Sequence, residues 1–284
     1  VVPARIVSLV YVYFDCHTAP PFFFLWVQVQ YMREVMSRYM KRILSGLRRA
    51  VDDYMMIDDG DLIAVGLSGG KDSMTLIRAL AELRKFYPQK FDVVGINIDM
   101  GFDSHTPSAL ADFCHDAGVS YRTVRTDIAK IVFDIRQETN PCSLCSRMRR
   151  GALYSEAEAV GARKLALGHH ADDIIETFMM NMLFGSRLST FSPVTRLDGR
   201  DLTLIRPMIY IKECDIISYA KKTALPVIKS PCPEDHATER ERMKATLSVL
   251  ESDYPHARER IFRAICERGL DGYKIPSKSE RHTY

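Results

Sequence analysis

Past residue 60, short apolar runs alternate with longer stretches of helical periodicity, and no other feature of the chain limits its fold so tightly. Leu62–Leu67, Phe91–Asp99, Val119–Val124, Lys164–Leu167 and Leu202–Ile205 read as strands. Met74–Phe86, Pro107–Ala117, Asp127–Arg136, Ser146–Val160, Asp172–Phe184 and Lys212–Thr223 read as the helices between them. This alternation predicts an α/β fold, a parallel sheet with helices on both faces. Ligands on such sheets sit beyond the carboxyl ends of the strands, so the loops that follow strands are where chemistry is sought.

Val35, Tyr39, Ile43, Leu47 and Val51 recur every four residues and predict an amphipathic helix ahead of the first strand. Before it, residues 1–31 carry only Arg5 and Asp15 as charges. The apolar runs Ile6–Phe14 and Phe22–Val29 are each shorter than the ~18–20 residues a membrane span requires. Residues 1–31 are therefore expected to be a leader outside the working fold, with translation starting at Met32 or Met36. Residues 32–228 form the α/β domain. Thr238–Glu251 and Pro255–Arg268 read as charged helices, so 229–270 is expected to be a helical C-terminal subdomain and 271–284 a solvated tail. The balance of 39 basic and 36 acidic residues is too even to mark a polynucleotide binder by itself. Seven cysteines, an odd number, argue against a complete disulfide framework and for a reducing compartment, the cytoplasm, with no membrane association.

Three loops stand out. The first is Ser68-Gly69-Gly70-Lys71-Asp72-Ser73, between the first core strand and a helix. Paired glycines let backbone N–H groups approach an anion, the helix start adds partial positive charge, and Lys71 adds a whole one. Neither Walker A nor the dinucleotide pattern is met, since Val65 stands where Walker A needs its first glycine and Asp72 follows the lysine. The bland alternative is a tight turn capped by Ser68 or Asp72.

The second is Pro141-Cys142-Ser143-Leu144-Cys145, expected in the loop after the Asp127–Arg136 helix. Its spacing suits one metal, a redox pair, or an iron–sulfur cluster that would recruit Cys232. Arg147, Arg149 and Arg150 follow with no acid among them, a solvated face or a contact for phosphate and polynucleotide. Cys114, Cys214 and Cys266 read as small core residues, and Cys16 lies in the leader. The third loop, Gly168-His169-His170-Ala171-Asp172-Asp173, opens a helix. Its aspartates are either caps or, on the sharper reading, partners of ATP-bound Mg2+ or of a proton in transfer.

The order of these pieces is PP-loop, C-S-L-C-S-R-x-R-R-G, G-H-H-x-D-D-I-x-E-T, R-P, and a late cysteine after proline. Together they resemble the tRNA 2-thiocytidine synthetase family of PP-loop ATP pyrophosphatases, over about residues 36–268. The resemblance implies that ATP and Mg2+ adenylate the C2 oxygen of a tRNA pyrimidine, with cytidine expected, and that sulfur then displaces AMP. Cys142, Cys145 and Cys232 match the ligands of a [4Fe–4S] cluster. Ser68, Gly69, Gly70, Lys71, Asp72 and Ser73 match the ATP loop, with Asp99, Gly168 and Asp173 beside the nucleotide. Lys71, Asp72, Asp172 and Arg149 are the implied catalytic residues. Arg149 stands where some relatives carry lysine, and it cannot readily act as a base. Pro233 follows Cys232 closely where many members show a further cysteine. The implied partners are tRNA, a sulfur donor such as a cysteine desulfurase, a reductant and a second copy in a homodimer. The competing reading is a lysidine synthetase-like PP-loop ligase with a nitrogen nucleophile; a zinc or nucleotide-binding module is the non-enzymatic one.

Overall fold

The computed structural model describes residues 38–102, 107–136, 141–228, 232 and 239–276. The expected leader, and with it Cys16, lies outside them. A helix over 38–53 (α1) precedes β1 (Asp61–Gly66), α2 (Lys71–Leu83), β2 (Phe91–Asp99), α3 (Pro107–Asp116) and β3 (Ser120–Arg125). After these come α4 (Pro141–Ala159), β4 (Lys164–Ala166), α5 (Ala171–Gly185), β5 (Val194–Arg196), β6 (Thr203–Ile205) and α6 (Glu213–Lys222). Two more helices, α7 (Glu239–Asp253) and α8 (Ala257–Glu267), close the fold.

The strands form one sheet in the order β3-β2-β1-β4-β6-β5. Every pairing is parallel except that of β5 with β6, so the sheet is mixed rather than wholly parallel. β5 is too short for alternation to reveal it. Its signal was the turn Leu197-Asp198-Gly199-Arg200, where Gly199 takes φ 73° and Leu197 N donates to the Leu202 carbonyl at 3.0 Å.

Alternation along the strands sends side chains to two cores. Ile63 and Val65 join a large cluster with α1, α2, α3 and α6, while Ala64 faces the other way. That second cluster holds Val94, Ile96, Leu165 and Leu204 beneath Ala157 of α4. Helices thus cover both faces. In α2, Leu76, Ile77, Leu80 and Leu83 are fully buried, each contributing about 1.5–3 kcal/mol.

Four local expectations change. Cys142 and Cys145 lie within the first turns of α4, not in a loop, because Pro141 at the helix start has no N–H to lose and a φ suited to a helix. The stretch expected as a helix from Asp127 winds as a π-helix over Lys130–Ile135. Cys214 is exposed, whereas Cys114 and Cys266 are buried as expected. Tyr273, read as part of the solvated tail, is 2% exposed and packs edge-on against Tyr54 and Phe262. Among the described residues no helix is long and apolar enough to cross a membrane.

Candidate active site

The chain runs outward from β1 through β2 to β3, then returns to start β4 on the other flank of β1. The resulting crevice at the carboxyl ends of β1 and β4 is the expected ligand position in a doubly wound sheet. Both the Ser68–Ser73 loop and the Gly168–Asp173 loop open onto it.

The first loop is folded on itself. Gly69 takes φ +83°, a conformation that only glycine adopts without strain. Gly70 N donates to Ser68 Oγ at 3.3 Å, the Ser73 hydroxyl donates to the Gly70 carbonyl at 3.1 Å, and Ser68 N donates to Ser73 Oγ at 3.2 Å. α2 then starts at Lys71 from an extended Gly70 that provides no side-chain cap. The second loop presses directly against it. A Cβ on Gly168 would stand 3.2 Å from both Asp72 C and Ser73 N, so a side chain here would have to push the two loops apart. From the other side, Ile228 N donates to the Gly69 carbonyl at 3.0 Å, which leads the chain back toward Cys232.

A dense ionic seam surrounds Lys71. Its ammonium sits 3.0 Å from Asp72 and 3.0 Å from Glu213. Burial works against that charge, but Asp72 and Glu213 outweigh it and raise the lysine pKa. Glu213 also receives Lys244 Nζ at 2.7 Å. Burial alone would raise the Glu213 carboxyl, yet the two lysines hold it at about 2. Asp172 accepts from Glu213 N at 2.8 Å and from Arg258 Nη1 at 3.0 Å. Asp173 accepts from His170 N and from Arg240 Nη1, each at 3.0 Å. Behind them Glu176 is 3% exposed and 3.4 Å from Arg240; burial first, then Asp173, pushes its carboxyl up to about 7.

His169 is kept neutral, its pKa pulled down to about 4 chiefly by burial, with Arg206 and Arg240 also acting against the charged form. Its ring lies 4.8 Å from Phe191, and the Arg206 guanidinium, 5.0 Å from that same ring, donates to Thr195 Oγ1 at 3.1 Å. Arg206 follows β6 as His169 follows β4, so the R-P dipeptide reaches the same crevice.

Asp99 closes β2 and accepts from Gly101 N at 3.0 Å. The next residue, Met100, places Sδ 3.7 Å from Cys145 Sγ, so α4 hangs its cysteines over the end of β2. Burial pushes the Cys145 thiol up, Arg149 draws it down, and Cys232 and Cys142 both push it up. Cys145 is therefore within electrostatic reach of both Cys142 and Cys232. They do not close on a point: among the described residues no three His, Cys, Asp or Glu side chains could grip a single metal ion. A polynuclear cluster takes each thiolate on a different iron and asks for a wider set of soft donors, which these thiols fit.

The structure thus brings Ser68 to Ser73, Gly168, Asp172 and Asp173 together at the β1/β4 crevice, with Asp99 and the cysteines at the neighbouring strand end. Arg149 flanks Cys145 and is exposed. Sequence reasoning missed Glu213, Arg240, Lys244 and Arg258. Glu213 opens α6 with no signal of its own, and the signal of the other three was an excess of paired charges on α7 and α8, which an exposed helix shows equally well.

Residues 40–250 match the family described as the PP-loop domain. A tRNA-cytidine(32) 2-sulfurtransferase of Syntrophotalea carbinolica is 38% identical over 234 residues, 81% of this chain and 90% of the relative. One of Geobacter sulfurreducens is 37% identical over 79% of this chain and 89% of its own length. Among solved structures, the U34-tRNA thiolase NcsA of Methanococcus maripaludis with its [4Fe-4S] cluster is similar at a TM-score of 0.68 and 26% identity. That similarity covers 86% of this chain and 82% of the thiolase.

Proposed function

The chain belongs to the tRNA 2-thiocytidine synthetase family, the tRNA-thiolating branch of the PP-loop proteins, and from that premise we propose how its crevice carries out ATP-dependent sulfur transfer to a tRNA cytidine. The observation that carries the reading is the meeting of a pyrophosphate-type loop and three converging thiols at adjacent strand ends.

ATP binds with its β- and γ-phosphates on the Ser68–Ser73 loop, where the backbone N–H groups at the start of α2 and the Lys71 ammonium meet their charge. Mg2+ would accompany the phosphates, with Asp72 and Asp173 as the carboxylates offered to it. The cytidine C2 oxygen attacks the α-phosphorus and pyrophosphate leaves. Sulfur then adds at C2, and the oxygen departs with AMP. Adenylation turns a poor leaving group into a good one. Asp172, fixed by Arg258 and Glu213 N, is placed to steady charge or accept a proton at the reacting base.

Cys142, Cys145 and Cys232 would hold the [4Fe–4S] cluster. When bound, that group supplies a place for sulfur beside the activated carbon, which makes a bimolecular step local. Arg149 offsets part of the burial that raises the Cys145 thiol and, with Arg147 and Arg150, offers a cationic face to the tRNA backbone. A cysteine desulfurase as sulfur donor, a separate reductant, a homodimer and a cytoplasmic site belong to the same proposal.

The test is anaerobic. Reconstituted protein, ATP, Mg2+, sulfide and unmodified tRNA are expected to yield 2-thiocytidine by nucleoside mass spectrometry, with AMP and pyrophosphate in equal amounts. Cys142→Ala is expected to lose the iron–sulfur absorbance and the thiolated nucleoside together. Release of ADP would overturn adenylation, full thiolation by the colourless variant would remove the cluster from the reaction, and AMP release without any thiolated nucleoside would favour a ligase with a nitrogen nucleophile.

A further inference from the structure

Glu213 holds two ammonium groups on one oxygen. Lys71 Nζ, from the PP-loop, and Lys244 Nζ, from α7, lie 3.0 and 2.7 Å from the same Oε1. Burial and the charge of Lys71 both act against the Lys244 ammonium, and Glu213 more than offsets them. So two like charges from distant parts of the chain are kept adjacent by a single internal anion.

The exposures give this arrangement a direction. The Glu213 side chain is 13% exposed, whereas Lys71 is 27% and Lys244 37% exposed. The carboxylate sits beneath and the ammonium groups stand toward solvent, one of them on Lys71 of the Ser68–Ser73 loop itself. Glu213 is also tethered, since its own N–H is bound to Asp172. An anion with several oxygens can meet both lysines from outside without entering the core, and can replace one buried carboxylate oxygen with stronger charge.

We propose that Lys244 is a second cation for the pyrophosphate moiety of ATP, and that Glu213 is the resident counter-ion that yields the two lysines when the phosphates arrive. The proposal rests on reading Ser68–Ser73 as the ATP loop. It extends the nucleotide site to α7, and it makes Glu213 a competitor of the ligand: the carboxylate lowers phosphate affinity while keeping the empty lysines in place. After adenylation the same competition helps pyrophosphate leave.

The probe is inorganic pyrophosphate with Mg2+, titrated calorimetrically into the full chain without tRNA. Losing a charge-assisted contact is worth roughly tenfold or more in affinity. Lys244→Gln is therefore expected to weaken pyrophosphate about tenfold, and Lys244→Arg to stay within about threefold of the parent. Glu213→Gln, which keeps the side chain's shape, is expected to tighten binding several-fold. Asp215→Asn is the control for the general field, because Asp215 lies two positions along α6 but pairs with Arg42; its affinity is expected to be unchanged.

Unchanged binding in Lys244→Gln would overturn the proposal. So would weaker binding in Glu213→Gln, or tightening by Asp215→Asn equal to that of Glu213→Gln. The glutamate arm stands alone if the lysine variant fails to fold. Pyrophosphate binding involves neither tRNA nor cluster. A chain that behaves as expected here but makes no thiolated nucleoside refutes the thiolation reading and not this one.

Discussion

A carboxyl group that is 3% exposed and titrates at about 7 makes the stability of this protein pH-dependent near neutrality. Glu176 has its folded pKa raised above the ordinary 4.5, mainly by burial, so the native state binds a proton that the unfolded chain has already released. Stability therefore falls as pH rises from about 4.5 to 7, and stays low above that. Glu176→Gln keeps a neutral side chain of similar shape. It is expected to flatten that decline and to add about 1–3 kcal/mol at pH 8, read from denaturant midpoints across the range. A parallel pH dependence in parent and variant would show that Glu176 is not the source. This residue stood within a motif visible in the sequence, G-H-H-x-D-D-I-x-E-T, yet its altered titration was not legible there. Local motifs such as Ser68–Ser73 are readable because their chemistry is contiguous. The pairing of Arg240 with Asp173, Glu176 and Thr177 joins residues more than sixty positions apart, and nothing in the spacing announces it.

At the scale of elements, two turns decide the site, and one of them depends on a missing methyl group. The strand-to-helix connection after β4 approaches the PP-loop so closely that a Cβ on Gly168 would reach Asp72 C and Ser73 N at 3.2 Å. Those atoms are backbone of the phosphate cradle and cannot rotate away. Gly168→Ala is expected to cost about 1–3 kcal/mol through overpacking, and to weaken ATP binding about tenfold by tilting the first turn of α2. The measurement is nucleotide affinity beside thermal stability. Loss of stability with unchanged ATP affinity would mean that the cradle absorbs the methyl by moving elsewhere. The element boundaries show why the sequence was read well here and less well nearby. β1 and β2 carry enough buried Val and Ile to announce themselves. The three residues of β5 do not, and the proline that opens α4 suits a loop as well as a helix start.

At the scale of the whole molecule, α7 and α8 are part of the site rather than an appendage to it. Met243 and Leu247 pack on Ile175 of α5, a small cluster apart from the two main cores. From that anchorage Arg240, Lys244 and Arg258 reach Asp173, Glu213 and Asp172. A solvated pair of helices and a pair that neutralises buried acids have the same charge-rich sequence, so only the packing distinguishes them. That small anchor makes α7 more easily loosened than α8, whose Ile265 and Cys266 lie in the larger core, because regions with few buried apolar contacts open at lower free energy than the global fold. Leu247 is fully buried, and Leu247→Ala is expected to cost about 2–5 kcal/mol locally. Hydrogen exchange should quicken across residues 239–253 while β1 and β2 keep their protection. ATP affinity should drop in the same variant, although no altered atom touches the nucleotide loop. If α7 and α8 were independent of the site, exchange would quicken with ATP affinity intact, and the coupling argued from Arg240, Lys244 and Arg258 would fail.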